Sequence, residues 1–187
     1  MPEDHAAGSC LCGAVRYELR GPFSHMAHCH CSICRKHHGA PFATYVASPL
    51  DGLRMLAGSE NTGRYDSSPH WYRPWCLTCG SVLPTLMPEH GLVVGPAGNL
   101  EGDLGVAPAM HMFTGSKAPW YEITDGLPQH EAYPPEGGMP TVQRPAPAPP
   151  SGRAGPPIVT CAPRSASGWP SWPWPSGCSR PWGRSAG

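Results

Sequence analysis

Cys29-His30-Cys31-Ser32-Ile33-Cys34 places three thiols within six residues, in the spacing C-x-C-x-x-C. Two pairs flank it, Cys10-Leu11-Cys12 upstream and Cys76-Leu77-Thr78-Cys79 downstream. Seven of the nine cysteines therefore fall in three tight clusters before residue 80. Thiolates gathered at such spacing are how a chain holds Zn²⁺. On this reading residues 1–133 are a small zinc-binding domain built around the central stretch.

The three clusters divide most simply into a site of four and a site of three. Residues i and i+2 of a strand point the same way, so Cys10 and Cys12 can share one metal. Cys76-x-x-Cys79 followed by Gly80 fits a knuckle turn, in which the glycine takes positive φ. Two such pairs make a closed, structural Cys₄ site, and Cys29, Cys31 and Cys34 then form a three-ligand site with an open position, the pattern of catalytic zinc. Spacing leaves alternatives open. Cys29, Cys31, Cys76 and Cys79 can form the closed site instead, and histidines at 28, 30, 37 and 38 can complete a second closed one. A lone C-x-x-C is also compatible with a redox motif.

Composition separates the chain into two parts. From Pro134 to Gly187 lie 14 of the 26 Pro and 4 of the 7 Trp, whereas all ten His precede residue 134. Residues 1–133 carry 8 Lys+Arg against 12 Asp+Glu, a balance of −4, and the remainder carries 5 Arg against one Glu, a balance of +4. Thiolate ligation adds to the negative charge of the first part, so it would repel a phosphate backbone; nucleic acid is not expected as a partner. Prolines interrupt 134–187 too often for ladder hydrogen bonds, and aliphatic residues are scarce there, so that segment reads as a disordered low-complexity tail. The start, Met-Pro-Glu-Asp-His, lacks a signal peptide's basic and apolar regions. No apolar run reaches the roughly 20 residues of a membrane span. A cytoplasmic protein with reduced thiols and no membrane partner is the expectation.

Short period-two stretches dominate residues 8–113. Val15, Tyr17 and Leu19 alternate with Arg16 and Glu18, which reads as a half-buried strand. Further strands are expected over 26–31, 42–47, 53–57, 64–65, 70–75, 82–86, 92–94 and 110–113, with Pro74 confining its strand to an edge or bulge. Ser32 to His38 predicts one helical turn, stopped by Gly39-Ala40-Pro41. The fold class is mostly β, with no long helix.

The segments Gly8-Ser-Cys-Leu-Cys-Gly-Ala-Val-Arg-Tyr17, His28-Cys-His-Cys-Ser-Ile-Cys-Arg-Lys36 and Cys76-Leu-Thr-Cys-Gly-Ser81 resemble the glutathione-dependent formaldehyde-activating enzymes, a family that includes the centromere protein V domain. Lys117-Ala-Pro-Trp120 and Asp125-Gly-Leu-Pro-Gln129 extend the resemblance, which covers roughly residues 8–130. It implies a β-tent of short antiparallel sheets. It also implies two Zn²⁺ per chain, a structural ion on Cys10, Cys12, Cys76 and Cys79 and a catalytic-type ion on Cys29, Cys31 and Cys34. The implied activity is that of a carbon–sulfur lyase on glutathione, or another small thiol, joined to formaldehyde or a small aldehyde. Arg35 is then a candidate partner for substrate carboxylates, beside Lys36, and His30 a candidate proton donor. The competing reading is a zinc-stabilised binding module without catalysis.

Overall fold

The computed structural model describes residues 5–69, 71–135 and 142–143. The first strands are β1 (His5–Ser9) and β2 (Arg16–Arg20), followed by β3 (Met26–Cys29) and the helix α1 (Ser32–His38). The middle of the chain forms β4 (Ala43–Pro49), β5 (Leu53–Ala57), β6 (Thr62–Ser68) and β7 (Trp71–Cys76). After these come β8 (Thr85–Met87), β9 (Leu92–Pro96), β10 (Val106–Ala107), β11 (His111–Met112), β12 (Gln129–His130) and β13 (Val142–Gln143). The mostly β expectation holds, with short and largely antiparallel sheets.

A six-stranded sheet in the order β12-β11-β3-β4-β9-β8 carries the central cysteines. Its β3–β4, β4–β9 and β9–β8 pairings are antiparallel, whereas β11 runs parallel to both β3 and β12. A second sheet has the order β1-β2-β5, and β6 pairs with β7 in a separate ribbon. Pro74 lies on β7, paired only with β6 within its sheet, so its missing N–H costs no second ladder. β13 pairs with β10, Val142 opposite Ala107. This two-residue strand falls inside the stretch expected to be irregular; the rest of 136–187 lies outside the described residues.

The apolar side of the alternation around β2 is realised: Val15, Tyr17 and Leu19 are wholly buried, while Arg16 is exposed and Glu18 half-buried. Leu19 joins Ala6, Phe23, Met26, Val46, Val93 and Val106 in the aliphatic core. Burying a side chain such as Leu or Phe contributes about 1.5–3 kcal/mol. The other two cores are unusual in their chemistry. One packs Val15, Tyr17 and Leu83 around Cys10 and Cys76, the other Ala43 and Tyr45 around Cys29 and Cys34. Thiols thus occupy the places that aliphatic residues would fill.

One local expectation is corrected. Cys10 and Cys12 do not lie in a strand but in the turn between β1 and β2. Gly13, at φ 74°, donates its N–H to the Cys10 carbonyl at 3.0 Å, and Cys10 N–H donates to the Val15 carbonyl at 3.0 Å. The turn wraps the two sulfurs to one side, which the strand reading attributed to pleat alternation. Helix α1 has the expected bounds, Ser32–His38, and ends at Gly39 in the left-handed conformation.

Candidate metal centre

The four sulfurs of Cys10, Cys12, Cys76 and Cys79 lie within 4.8 Å of one another. Cys10 and Cys12 are 3.5 Å apart, and Cys12 and Cys76 are 3.9 Å apart. Sulfurs at about 2.3 Å from one tetrahedral ion sit about 3.8 Å from each other. These separations fit Zn²⁺ and exclude a formed disulfide, whose sulfurs would be about 2.05 Å apart. The β1–β2 turn supplies one pair. The other comes from the end of β7 and its turn, where Gly80 at φ 75° donates to the Cys76 carbonyl at 2.8 Å.

Polar groups already surround these sulfurs. Val15 N–H donates to Cys10 Sγ at 3.2 Å, Asn61 Nδ2 to Cys76 Sγ at 3.5 Å, and the Ser81 hydroxyl lies 3.3 Å from Cys79 Sγ. Burial opposes ionisation of Cys79, but the Ser81 hydroxyl and amide outweigh it and bring the thiol down to about 6. Cys10 is lowered too: burial opposes, and the Val15 amide and neighbouring thiols prevail. Cys12 is pushed up to about 12: the Ala14 amide favours its thiolate, but burial and the neighbouring thiols outweigh it.

The second cluster comes from one short segment. Cys29 ends β3, Cys31 caps α1 and Cys34 sits in the first turn, with the three sulfurs within 4.8 Å. Cys31 Sγ accepts the Cys34 N–H at 3.3 Å. Hydrogen bonds from Cys29 and Cys34 hold Cys31 far below the ordinary thiol range, while Cys29 is driven up. Three sulfurs held this close, one of them favoured as thiolate, form a donor set suited to a cation. Among the described residues no fourth donor joins this cluster.

Arg73 and Tyr45, which sequence reasoning did not single out, back this cluster. Arg73 is 7% exposed, donates from Nη1 to Tyr45 Oη at 3.4 Å and from Nε to Ser67 Oγ at 3.2 Å, and lies 5.1 Å from the Trp71 ring. Its charge favours the Cys34 thiolate. Tyr45 Oη is 2.7 Å from His38 Nε2. With Arg73 donating to Tyr45, the phenol proton points to His38, whose ring is held neutral and lowered to about 4, first by burial.

A cavity of about 370 Å³ lies at the end of α1, and its lining includes His37, His38, Phe42, Thr44, Ser81 and Asn99. This lies within the range of small-ligand sites. His37 and His38 follow Cys34 by three and four residues and so share its helix face. None of the three thiols lines the cavity itself.

The two other predicted residues have defined places. Arg35 Nε donates to the His30 carbonyl at 3.3 Å, bracing the loop between Cys29 and Cys31. His30 is fully buried, with Nε2 at 2.8 Å from His111 Nδ1, and His111 Nε2 is 3.0 Å from both Asp125 oxygens. The Asp125-Gly-Leu-Pro-Gln129 segment was part of the resemblance, but His111 carried no signal of its own.

Residues 5–116 match the model of the family described as glutathione-dependent formaldehyde-activating enzyme. A Halomonas elongata protein named as a candidate glutathione-dependent formaldehyde-activating enzyme is 34% identical over 126 residues, covering 62% of this chain and 79% of its own length. An uncharacterised lyase of Schizosaccharomyces pombe is 31% identical over 83 residues, which span 44% of this chain and 57% of the yeast protein. A crystal structure of a Rhodobacter sphaeroides protein is 29% identical, with a TM-score of 0.44, covering 51% of this chain and 88% of that one.

Proposed function

Because the chain belongs to the glutathione-dependent formaldehyde-activating enzyme family, we propose that it is a carbon–sulfur lyase that makes and breaks the adduct of glutathione, or a similar small thiol, with formaldehyde. The carrying observation is the three-thiol cluster of Cys29, Cys31 and Cys34, to which no fourth donor is added among the described residues. Cys29, Cys31 and Cys34 would hold the catalytic-type Zn²⁺, and Cys10, Cys12, Cys76 and Cys79 the structural one. Bound at the three-thiol site, zinc supplies a Lewis acid that favours the thiolate form of an incoming thiol at neutral pH.

In the forward direction the thiol loses its proton, its sulfur bonds to the formaldehyde carbon, and the former carbonyl oxygen gains a proton. The chain's own residues bind the thiol and handle that proton. His37 and His38 offer ring nitrogens to the peptide groups of glutathione within the 370 Å³ cavity, and Phe42 offers an apolar wall. The substrate carboxylates need cations, and the domain is net negative; Arg35 and Lys36 on α1 are the cations nearest the thiols in sequence. Arg73 stays behind the cluster and offsets its negative charge. His30 is the proposed proton carrier, with its Nδ1 buried and free of any hydrogen-bond partner. A reducing cytoplasm suits the seven free thiols among the described residues. Among the described residues no helix is long and apolar enough to cross a membrane.

The test is adduct exchange followed by NMR with zinc-loaded protein, glutathione and formaldehyde, after subtraction of the uncatalysed rate. Wild type accelerates exchange and Cys31→Ser does not. Equal rates for the two would overturn the assignment and leave the binding-module reading.

A further inference from the structure

We propose that His28, His111 and Asp125 form a third metal site, for a divalent cation of the zinc class, on the face of β3 opposite the thiolates. Alternation along β3 sends Cys29 toward Cys34 and Tyr45, and His28 to the other side. Strand β11 runs parallel to β3 with His111 in register with His28, so their rings share that side, with centroids 4.9 Å apart.

The free donor atoms converge. His28 Nδ1 is 2.9 Å from Thr44 Oγ1, its cross-strand neighbour, which leaves Nε2 available. His111 Nδ1 is taken by His30, and its Nε2 faces the Asp125 carboxylate at 3.0 Å. Asp125 Oδ1 also accepts the Leu127 N–H at 3.0 Å, so Oδ2 is the less committed oxygen. One ring nitrogen of each histidine and a carboxylate oxygen lie within 4.8 Å of one another. Ligands about 2.0–2.2 Å from one ion sit roughly 3–3.5 Å apart. The His111–Asp125 spacing already meets this, and the His28 nitrogen lies within 4.8 Å of both.

The surroundings match those of a metal site more closely than those of a simple ion pair. Each histidine has its second nitrogen held by a partner, Thr44 or His30, which is how ligating imidazoles are oriented. Phe42 covers the rings, 4.5 Å from His28 and 6.3 Å from His111. Asp125 is half exposed, which gives an ion an entry path and leaves room for water ligands. Two imidazoles and one carboxylate with open positions suit Zn²⁺ or a neighbouring first-row ion. An ion pair serving only to tie β11 to the 125–127 turn would make no use of His28 Nε2.

The full chain, with its thiolate sites first filled with Zn²⁺, is titrated with Co²⁺ and followed by visible absorption and by histidine ring NMR. The expected result is one further Co²⁺ without sulfur charge-transfer bands, perturbing the His28 and His111 rings. Asp125→Asn and His28→Gln each weaken that binding at least tenfold while thiolate-bound zinc is unchanged. The proposal is overturned if wild type takes up no such ion, if both variants bind it equally well, or if other histidine rings are the ones perturbed. If both variants unfold, the wild-type ring signals decide. Failure of the thiolate sites to take up zinc would be seen at the first step, and counts against the proposed function rather than against this site.

Discussion

His30 Nε2 and His111 Nδ1 meet at 2.8 Å, both rings almost fully buried, although 81 residues separate them. The direction of the bond follows from the far end of the chain of contacts. A carboxylate only accepts, so with no ion bound His111 Nε2 carries a proton and donates to Asp125. In the neutral His111 ring Nδ1 is then an acceptor, His30 Nε2 is the donor, and His30 Nδ1 is left as a bare, unpartnered nitrogen. Burial lowers His30 to about 4, which agrees with a neutral ring.

This bond couples β11 to the thiol-bearing loop, and a double-mutant cycle measures it. His30→Ala and His111→Ala each leave a buried nitrogen of the other ring without its partner, a loss of about 1–3 kcal/mol. The pair removed together should cost less than the two separately, with a coupling of about 1–2 kcal/mol in denaturant unfolding. Additive losses would mean that the rings merely pack side by side.

The two thiol clusters should differ in what they do for folding. Cys12 and Cys76 are 64 positions apart, so an ion on the four-cysteine site closes a long loop in the chain. Cys29 to Cys34 closes one of only a few residues. Loop-closure entropy favours the longer link by about 2 kcal/mol, before the packing around the buried Cys76 is counted. Cys76→Ser should therefore unfold the domain or lower its Tm far more than Cys34→Ser, which should mainly reduce bound zinc. Equal Tm losses in thermal melts would contradict the division into structural and open sites.

Sequence reading reached the elements that local pattern controls. Val15, Tyr17 and Leu19 are buried as their alternation requires, Gly39 stops α1, and the cysteines gather as their spacing suggests. What it missed depends on distant strands. His111 meets His28 through a parallel pairing of two residues, too short to leave a periodic signal. Arg73, beside Pro74, carries no sequence signal of burial; it is buried because Tyr45 and Ser67 take its donors and Trp71 lies against it. For Cys10 and Cys12 the pattern cannot separate strand from turn, because period two and a tight turn both put two sulfurs on the same side.

Gly8 is a local point on which the first sheet depends. It pairs with Tyr17 across β1 and β2, and the phenol ring lies directly over it. A Cβ at position 8 would sit 2.3 Å from Tyr17 Cε2, and Tyr17 is fully buried with little room to turn. Gly8→Ala should destabilise the protein by about 1–3 kcal/mol through overpacking. Tyr17→Leu in the same background should recover part of that loss, which chemical denaturation would detect. A Gly8→Ala protein as stable as wild type would show that β1 can shift freely.

The last prediction concerns acid. His38 is lowered from 6.5 to about 4, first by burial and then by His37 and Arg73, while Tyr45 Oη lies against its Nε2. The unfolded chain therefore binds a proton at this ring below about pH 6.5, before the folded chain does. Stability contributed by the neutral ring is complete above that pH, falls as pH drops toward 4, and changes no further below it. Acid also protonates thiolates, so the total loss has more than one source. His38→Gln keeps a polar side chain near Tyr45 without this titration, and the thiolate contribution is common to both proteins. The Tm of the variant should fall less steeply than that of wild type between pH 6.5 and 4.5, with the two curves parallel above pH 7. Parallel curves throughout would mean that the His38 ring takes its proton as readily folded as unfolded, and that burial, His37 and Arg73 do not hold it neutral.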